Sequence, residues 1–234
     1  GDNGSNRDTC AQPAKAIAAM SDGRLVLMNF GTDLLRGVHP SFGADYPESY
    51  PPSTLRHAGP ENGSQILCGV PMGTRLCVVV EDSIWILDPT CTECTQADGT
   101  VGGAGAGCAQ ETPYGVIFVG SKGIYLFNGN QVRLVSDVIR GTWATVLQGV
   151  LPLVQTAYDS GLDLFLAAVC TTAGGTANDT IIALDCRTLG WPDAKKETAD
   201  ALKFYGFKNE AELRAWRGNP VDVLAPIAQA KIPL

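Results

Sequence analysis

Gly115-Val-Ile-Phe-Val-Gly-Ser-Lys-Gly-Ile-Tyr-Leu-Phe-Asn-Gly129 holds two apolar runs, 116–119 and 124–127, on either side of the turn Gly120-Ser121-Lys122-Gly123. Each run is strand-sized and made of β-branched and aromatic residues, and a four-residue turn joins them, so the stretch reads as a β-hairpin. The same succession recurs elsewhere in the chain. Residues 17–20, the turn Ser21-Asp22-Gly23-Arg24, residues 25–28 and Asn29 align with it without a gap. A third copy runs through 78–80, Glu81-Asp82-Ser83, 84–87 and Asp88, one residue shorter in the turn. A looser fourth ends its first strand at Tyr158, turns at Asp159-Ser160-Gly161 and continues as 164–169.

The residues that precede the four turns, Met20, Val80, Val119 and Tyr158, lie 60, 39 and 39 residues apart. Propeller blades repeat at roughly 40 to 45 residues, because each is a four-stranded meander whose apolar faces are covered only by neighbouring blades. The spacing therefore predicts an all-β fold, a small β-propeller of about four to five blades. The wider interval is expected to hold one blade with an insertion, or parts of two. A β-sandwich would also show hairpins, but without a forty-residue register. His39-Pro40-Ser41, Tyr46-Pro47-Glu48 and Tyr50-Pro51-Pro52 lie in that interval. Paired strands can scarcely continue through so many prolines, so a long surface loop is expected there.

Bulk composition agrees. The 234 residues are 45% hydrophobic, enough to bury a core, while 27 glycines and only 18% charged residues suit an all-β chain with many tight turns. A formal net charge of −7 and the lack of any Lys/Arg run argue against sequence-specific nucleic-acid binding. The apolar runs are strand-sized and broken by charges such as Glu81 and Asp82, so no membrane span is expected. The chain opens at Gly1 with no initiator Met and no signal-peptide pattern, which is read as a processed product or a piece of a longer protein.

The sequence divides into an N-terminal loop (1–13), a propeller-like domain (14–192) and a C-terminal extension (193–234) in which Ala, Lys and Glu take over. Asn209-Glu210-Ala211-Glu212 places a capping Asn three residues ahead of a Glu, just before Leu213 and Trp216, and predicts a short helix that Asn219-Pro220 ends. Residues 221–234 read as an extended apolar tail that packs back on the propeller or docks on another subunit.

Chemistry-bearing residues are sparse. The two histidines, His39 and His57, both fall in the proline-rich region and read as surface-loop residues. Eight cysteines occur, at positions 10, 68, 77, 91, 94, 108, 170 and 186. Cys91-Thr-Glu-Cys94 has metal-knuckle spacing with Cys108 across a glycine-rich loop, but no second knuckle completes a zinc site; a disulfide among these three stands beside that reading. Cys68, Cys77 and Cys170 read as small buried side chains, the first two facing one another if the chain turns at Pro71-Met72-Gly73-Thr74. The run Val101-Gly102-Gly103-Ala104-Gly105-Ala106-Gly107 fits no phosphate-binding frame and reads as a flexible connection between blades. Three sequons, at Asn3, Asn62 and Asn178, support a secreted glycoprotein as a minor reading. Asp82, Asp88, Asp137, Asp159 and Asp163 lie in or beside turns, where Asp is favoured for its backbone hydrogen bonds. No catalytic, cofactor-binding or metal-ligating residue is assigned, and no enzyme activity is expected.

Several of these stretches resemble β-propeller proteins of tailed-bacteriophage virions. The resemblance rests on the hairpin 112–129 with Val135-Ser-Asp-Val-Ile-Arg140, on residues 74–87, and on Val38-His-Pro-Ser-Phe-Gly-Ala-Asp-Tyr-Pro-Glu-Ser-Tyr50. Further along, Ala157-Tyr-Asp-Ser-Gly161, Ala167-Ala-Val169, Asn178-Asp-Thr-Ile-Ile-Ala-Leu-Asp185 and Arg187-Thr-Leu-Gly-Trp191 extend it, so that it covers about residues 14–191. The chain departs from the pattern at Cys170, Leu184 and Cys186. The resemblance implies a structural component of the neck or tail, a hub or nozzle ring, assembled in the host bacterial cytoplasm and contacting copies of itself and other virion proteins. A second expectation is a host-receptor or glycan-binding propeller that uses Phe42, Tyr46, Tyr50 and Trp143 as stacking platforms.

Overall fold

The computed structural model describes residues 14–30, 34–43, 45, 49–60, 62–189 and 202–218, so the expected N-terminal loop and apolar tail lie outside the described residues. Among the described residues, sixteen strands form four antiparallel four-stranded sheets, each a meander in which sequence neighbours pair. This is the blade architecture of a small all-β propeller. The described residues fall into two compact units, one within the bounds Gly1–Gly103 and Gly129–Val132, the other within Ala104–Asn128 and Arg133–Leu234.

In the first unit, β1 (Ala16–Ala19), β2 (Leu25–Met28), β3 (Gly37–Pro40) and β4 (Arg56–His57) make one meander. The next is β5 (Ile66–Met72), β6 (Arg75–Val80), β7 (Ile84–Leu87) and β8 (Cys94–Asp98). Val26, Met28 and Val38 of the former share one core with Ile66, Leu76, Val78, Val80 and Leu87 of the latter. The two sheets approach so closely that a Cβ on Gly69 would stand 2.6 Å from Met28 Cε. Each large side chain buried here contributes on the order of 1.5–3 kcal/mol by removal from water.

The proline-rich stretch enters this sheet earlier than expected. Gly37-Val-His-Pro40 is strand β3, wholly buried, with Leu27 opposite His39 and Val26 opposite Pro40. Proline is tolerated because β4 pairs only with Gly37 and Val38, leaving Pro40 at the strand's end. The surface loop begins at Ser41, where a hydrogen bond from Phe42 N to Ser49 O (2.8 Å) closes its neck.

The second unit holds β9 (Ala109–Thr112), β10 (Gly115–Gly120) and β11 (Gly123–Phe127), whose sheet is completed by β12 (Val132–Leu134). A 3-10 turn at Ser136–Ile139 and the one-turn helix α1 (Arg140–Trp143) follow. The last meander is β13 (Gln155–Asp159), β14 (Leu164–Val169), β15 (Thr180–Asp185) and β16 (Phe204–Phe207). A parallel bridge from Gly107 to Gln155, and Thr156 Oγ1 donating to Gly107 O at 2.9 Å, bring the first strands of the two meanders side by side.

Strand β16 comes from the segment that composition sets apart as an extension. Phe204-Tyr-Gly-Phe207 pairs with residues 181–184 of β15 and supplies the fourth strand of the last meander, so the fold continues past residue 192. Helix α2 (Glu210–Gly218) then docks Leu213 and Trp216 against Phe207, Leu164 and Ala183. Its start is the expected one: Asn209 Oδ1 accepts from Glu212 N at 3.0 Å, while Glu212 Oε2 accepts from Lys208 N at 2.8 Å.

The four look-alike hairpins do not hold equivalent places. Two are first-and-second strands (β1–β2 and β13–β14), and two are second-and-third (β6–β7 and β10–β11). Among the described residues, the 60-residue interval therefore contains β2–β4 of the first meander with β5 and β6 of the second, the parts of two blades that are one of the expectations for it.

Candidate functional site

Turn carboxylates, which the sequence marks only as turn formers, organise most of the polar structure. In the first unit Asp82, in the β6–β7 turn, receives both Nη2 contacts of Arg36, at 2.6 and 2.7 Å. Ser83 Oγ (2.7 Å), Ser64 Oγ (2.8 Å) and Asn62 Nδ2 (3.2 Å) also donate to it. Trp85 Nε1 in turn donates to Ser83 Oγ at 2.9 Å. Partial burial alone would raise the Asp82 pKa, but these three hydrogen bonds and the Arg36 charge outweigh it and hold the carboxyl at about 2. Arg36 is the buried partner, its side chain only 3% exposed, and it also donates to Ala58 O at 2.8 Å. One carboxylate thus ties the β2–β3 connection, the strand entry at Ser64 and the β6–β7 turn together.

Asp88 does similar work on the loop that follows β7. It accepts from Thr90 N (3.0 Å), Glu93 N (2.6 Å) and the Thr90 hydroxyl, which leaves Cys91 in the left-handed region at φ 58°. Arg24, itself paired with Asp22, reaches the carbonyls of Pro89 (2.9 Å) and Thr90 (3.4 Å) from the β1–β2 turn.

In the second unit Asp163, left-handed at φ 54°, accepts from two phenols, Tyr114 Oη on Oδ2 and Tyr158 Oη on Oδ1, both at 2.6 Å. Its hydrogen bond and then burial push Tyr114 up to about 12; burial, then the same carboxylate, push Tyr158 higher still. The pair joins the β9–β10 turn to the β13–β14 hairpin. Asp179 gathers Thr171 N and Thr172 N, both at 2.8 Å, together with the Thr180 hydroxyl at 3.0 Å, and the Thr172 hydrogen bond leads in pulling its pKa well below the usual carboxylate range. All four carboxylates are occupied by internal donors, an arrangement suited to bracing turns and joining strands. Buried Ser136 is the neutral counterpart: its Oγ accepts from Ile124 N at 2.9 Å, holding Val135-Ser-Asp-Val-Ile-Arg140 against β11.

The residues singled out for chemistry are dispersed. His39 is buried in β3 instead of lying on a surface loop; its Nε2 lies 2.9 Å from Pro51 O, and its ring meets Phe30 and Tyr50 edge-on. His57 is exposed on β4. Cys91 and Cys94 are free thiols packed on the first unit's core, while Cys108 is buried in the second unit. Cys91 donates to Met20 Sδ at 3.4 Å. Burial raises both pKa values, Cys94 to about 12, with the Asp88 charge adding to it. Such thiols stay protonated at neutral pH and are weak nucleophiles. Among the described residues no three His, Cys, Asp or Glu side chains gather as metal ligands. Cys68 and Cys77 are offset in the β5–β6 register, Cys68 opposite Val79 and Cys77 opposite Val70, because the turn is made by Gly73 and Thr74 alone.

Of the four aromatics suggested as stacking platforms, Phe42 is 65% exposed and Tyr50 is half-buried against His39. Trp143 is buried and turns its Nε1 to Ser121 O at 3.4 Å, so it presents no platform; Tyr46 lies outside the described residues. The glycine run is also not a loose connection. Gly103 N donates to Val80 O in the first unit and Ala104 N to Val119 O in the second, both at 2.9 Å. A Cβ on Gly102 would lie 2.3 Å from Glu81 C, and one on Gly105 would lie 2.2 Å from Pro152 O.

Among known proteins, no family model and no curated protein matches the chain. It is similar in structure to YCF48 from Cyanidioschyzon merolae at 13% identity and a TM-score of 0.43, over 72% of this chain and 51% of that one. A second similar chain belongs to the structure of S. cerevisiae dbp5 bound to nup159, gle1, IP6 and ADP, at 10% identity and a TM-score of 0.35, over 84% and 58% of the two chains. The chain thus spans between half and three fifths of the proteins it resembles. No described helix is long and apolar enough to cross a membrane.

Proposed function

We propose that this chain is a non-enzymatic structural component of a tailed-phage particle, a propeller-like module of the neck or tail that binds copies of itself and other virion proteins. The observation that carries the reading is the stretch of sequence that resembles such proteins. Residues 112–129 and 135–140 fold as a single element: the β10–β11 hairpin is fully registered from Val116 opposite Phe127 to Gly120 opposite Gly123, and Ser136 locks the following turn onto β11. Two further features support a scaffold. The turn carboxylates are spent on internal bracing, and the acidic balance of −7 suits a wall past which DNA moves without adhering. Ring assembly implies head-to-tail contacts, in which two different faces of each copy meet.

The test is a cryo-EM map of purified particles in which mass spectrometry has identified this chain. A ring of density at the neck or tail that fits the four meanders is the expected result. Density only in peripheral fibres or surface knobs, or absence of the chain from particles, would overturn the proposal. The host-binding alternative rests, among the described residues, mainly on Phe42, and predicts carbohydrate binding that Phe42→Ala abolishes; a flat glycan-array response is the outcome expected here.

A further inference from the structure

The sequon at Asn62 joins the Asp82 cluster through its side chain, and the same three residues carry a second chemistry. Asn62 and Gly63 are exposed, Gly63 has φ +91°, and nothing lies within 4 Å of where a Cβ would stand on it. The flanking backbone nitrogen is therefore unshielded by any side chain of its own residue. Asn62 Oδ1 accepts a hydrogen bond from Ser64 N at 3.1 Å, and Asn62 Nδ2 donates to Asp82 Oδ2 at 3.2 Å.

We infer that Asn62 is a self-modification site, where Gly63 N closes on Asn62 Cγ and converts the residue to aspartate or isoaspartate, altering the Asp82–Arg36 cluster. In the first step the Gly63 N–Cγ bond forms and the Cγ–Nδ2 bond breaks. Nδ2 leaves as ammonia, carrying the proton lost by Gly63 N, and a succinimide remains. In the second, water adds to either ring carbonyl and opens it, giving the α- or β-linked carboxylate. No oxidant or cofactor takes part. As Gly63 N adds to Cγ, negative charge develops on Oδ1, the oxygen that Ser64 N–H already faces. The product replaces an N–H donor to Asp82 with a carboxylate, which sets like charges side by side where Arg36 must satisfy both.

Asn128-Gly129 provides an internal control: Asn128 is half-buried at the end of β11, and a Cβ on Gly129 would meet Met72 at 3.4 Å. The purified chain is incubated at mildly alkaline pH, and peptide mapping follows both sites over time, in the native state and in denaturant. The expected result is conversion at Asn62 several-fold faster than at Asn128 in the folded protein, with the two rates converging in denaturant, and no conversion at that position in Asn62→Gln. The converted protein, separated by its extra negative charge, is expected to melt below the parent, and Asn62→Asp to melt with it. Equal rates at the two sites in the native state, or faster conversion of Asn62 in denaturant than in the fold, would overturn the assisted site. An unchanged melting point of the converted fraction would overturn its link to Asp82.

Discussion

The hairpins β1–β2 and β10–β11 share one pattern, two apolar runs around a four-residue turn, and the molecule treats them differently. In β10–β11 nearly every side chain is buried, with Phe118 stacked on Tyr125 at 5.3 Å, because these are the two middle strands of their meander. In β1–β2 burial alternates, and Ile17 is left 63% exposed, because β1 is a first strand whose outward face no other described residue covers. Residue pattern decides that a hairpin forms; the strands added on either side decide what that hairpin contributes.

Truncation should expose the difference most strongly. Phe118→Ala removes a fully buried ring from a middle strand and is expected to cost about 3–5 kcal/mol in denaturant unfolding. Next comes Asp82→Ala, expected to cost about 2 kcal/mol by leaving the buried Arg36 guanidinium without its carboxylate. A smaller loss would mean that the carbonyls Arg36 also donates to, Ala58 O at 2.8 Å and Ser64 O at 3.3 Å, satisfy it by themselves.

Asp82 and Tyr114 should also act at opposite ends of the pH scale. Asp82 holds its proton less tightly when folded, at about 2 against an ordinary 3.8. The unfolded chain therefore binds more protons in acid. The stabilisation is complete above pH 3.8 and is lost as pH falls through about 2, so Asp82→Asn should flatten the acid limb of a urea-midpoint profile. Tyr114 is the reverse case, raised from 10.0 to about 12. Its stabilisation is complete below pH 10 and is lost as pH rises through about 12, which Tyr114→Phe should blunt while costing about 1 kcal/mol at neutral pH. Last, Ile17→Ala in the exposed twin of the Phe118 hairpin should change stability by no more than about 0.5 kcal/mol. A cost comparable to that of Phe118 would mean that another surface covers β1 in solution.

What is legible in the sequence is local. Hairpins announce themselves through a short turn between β-branched runs, and the Asn209 cap through its spacing to Glu212. Strands β8 and β9, Cys-Thr-Gln-Ala-Asp98 and Ala-Gln-Glu-Thr112, carry no apolar alternation, because each lies at the edge of its sheet with part of its surface in water. Phe204-Tyr-Gly-Phe207 was hidden in an Ala/Lys/Glu-rich neighbourhood, although its paired aromatics were a usable signal. The bracing clusters could not be read at all. Asp82 and Asp163 look like any turn aspartate, and the residues that give them their role, Arg36 and Tyr114, lie 46 and 49 positions away.

By composition, the glycine run 101–107 is low-complexity filler, the kind of stretch an engineer would lengthen or recode without concern. Yet at Gly102 and Gly105 the space a methyl group would need is already filled by main chain, so the identity of these residues is fixed by exclusion. A saturation scan should find the segment patterned, intolerant at 102 and 105 and permissive at the exposed Ala106 beside them. Repetitive sequence here records steric information of the same grade as the hydrophobic core.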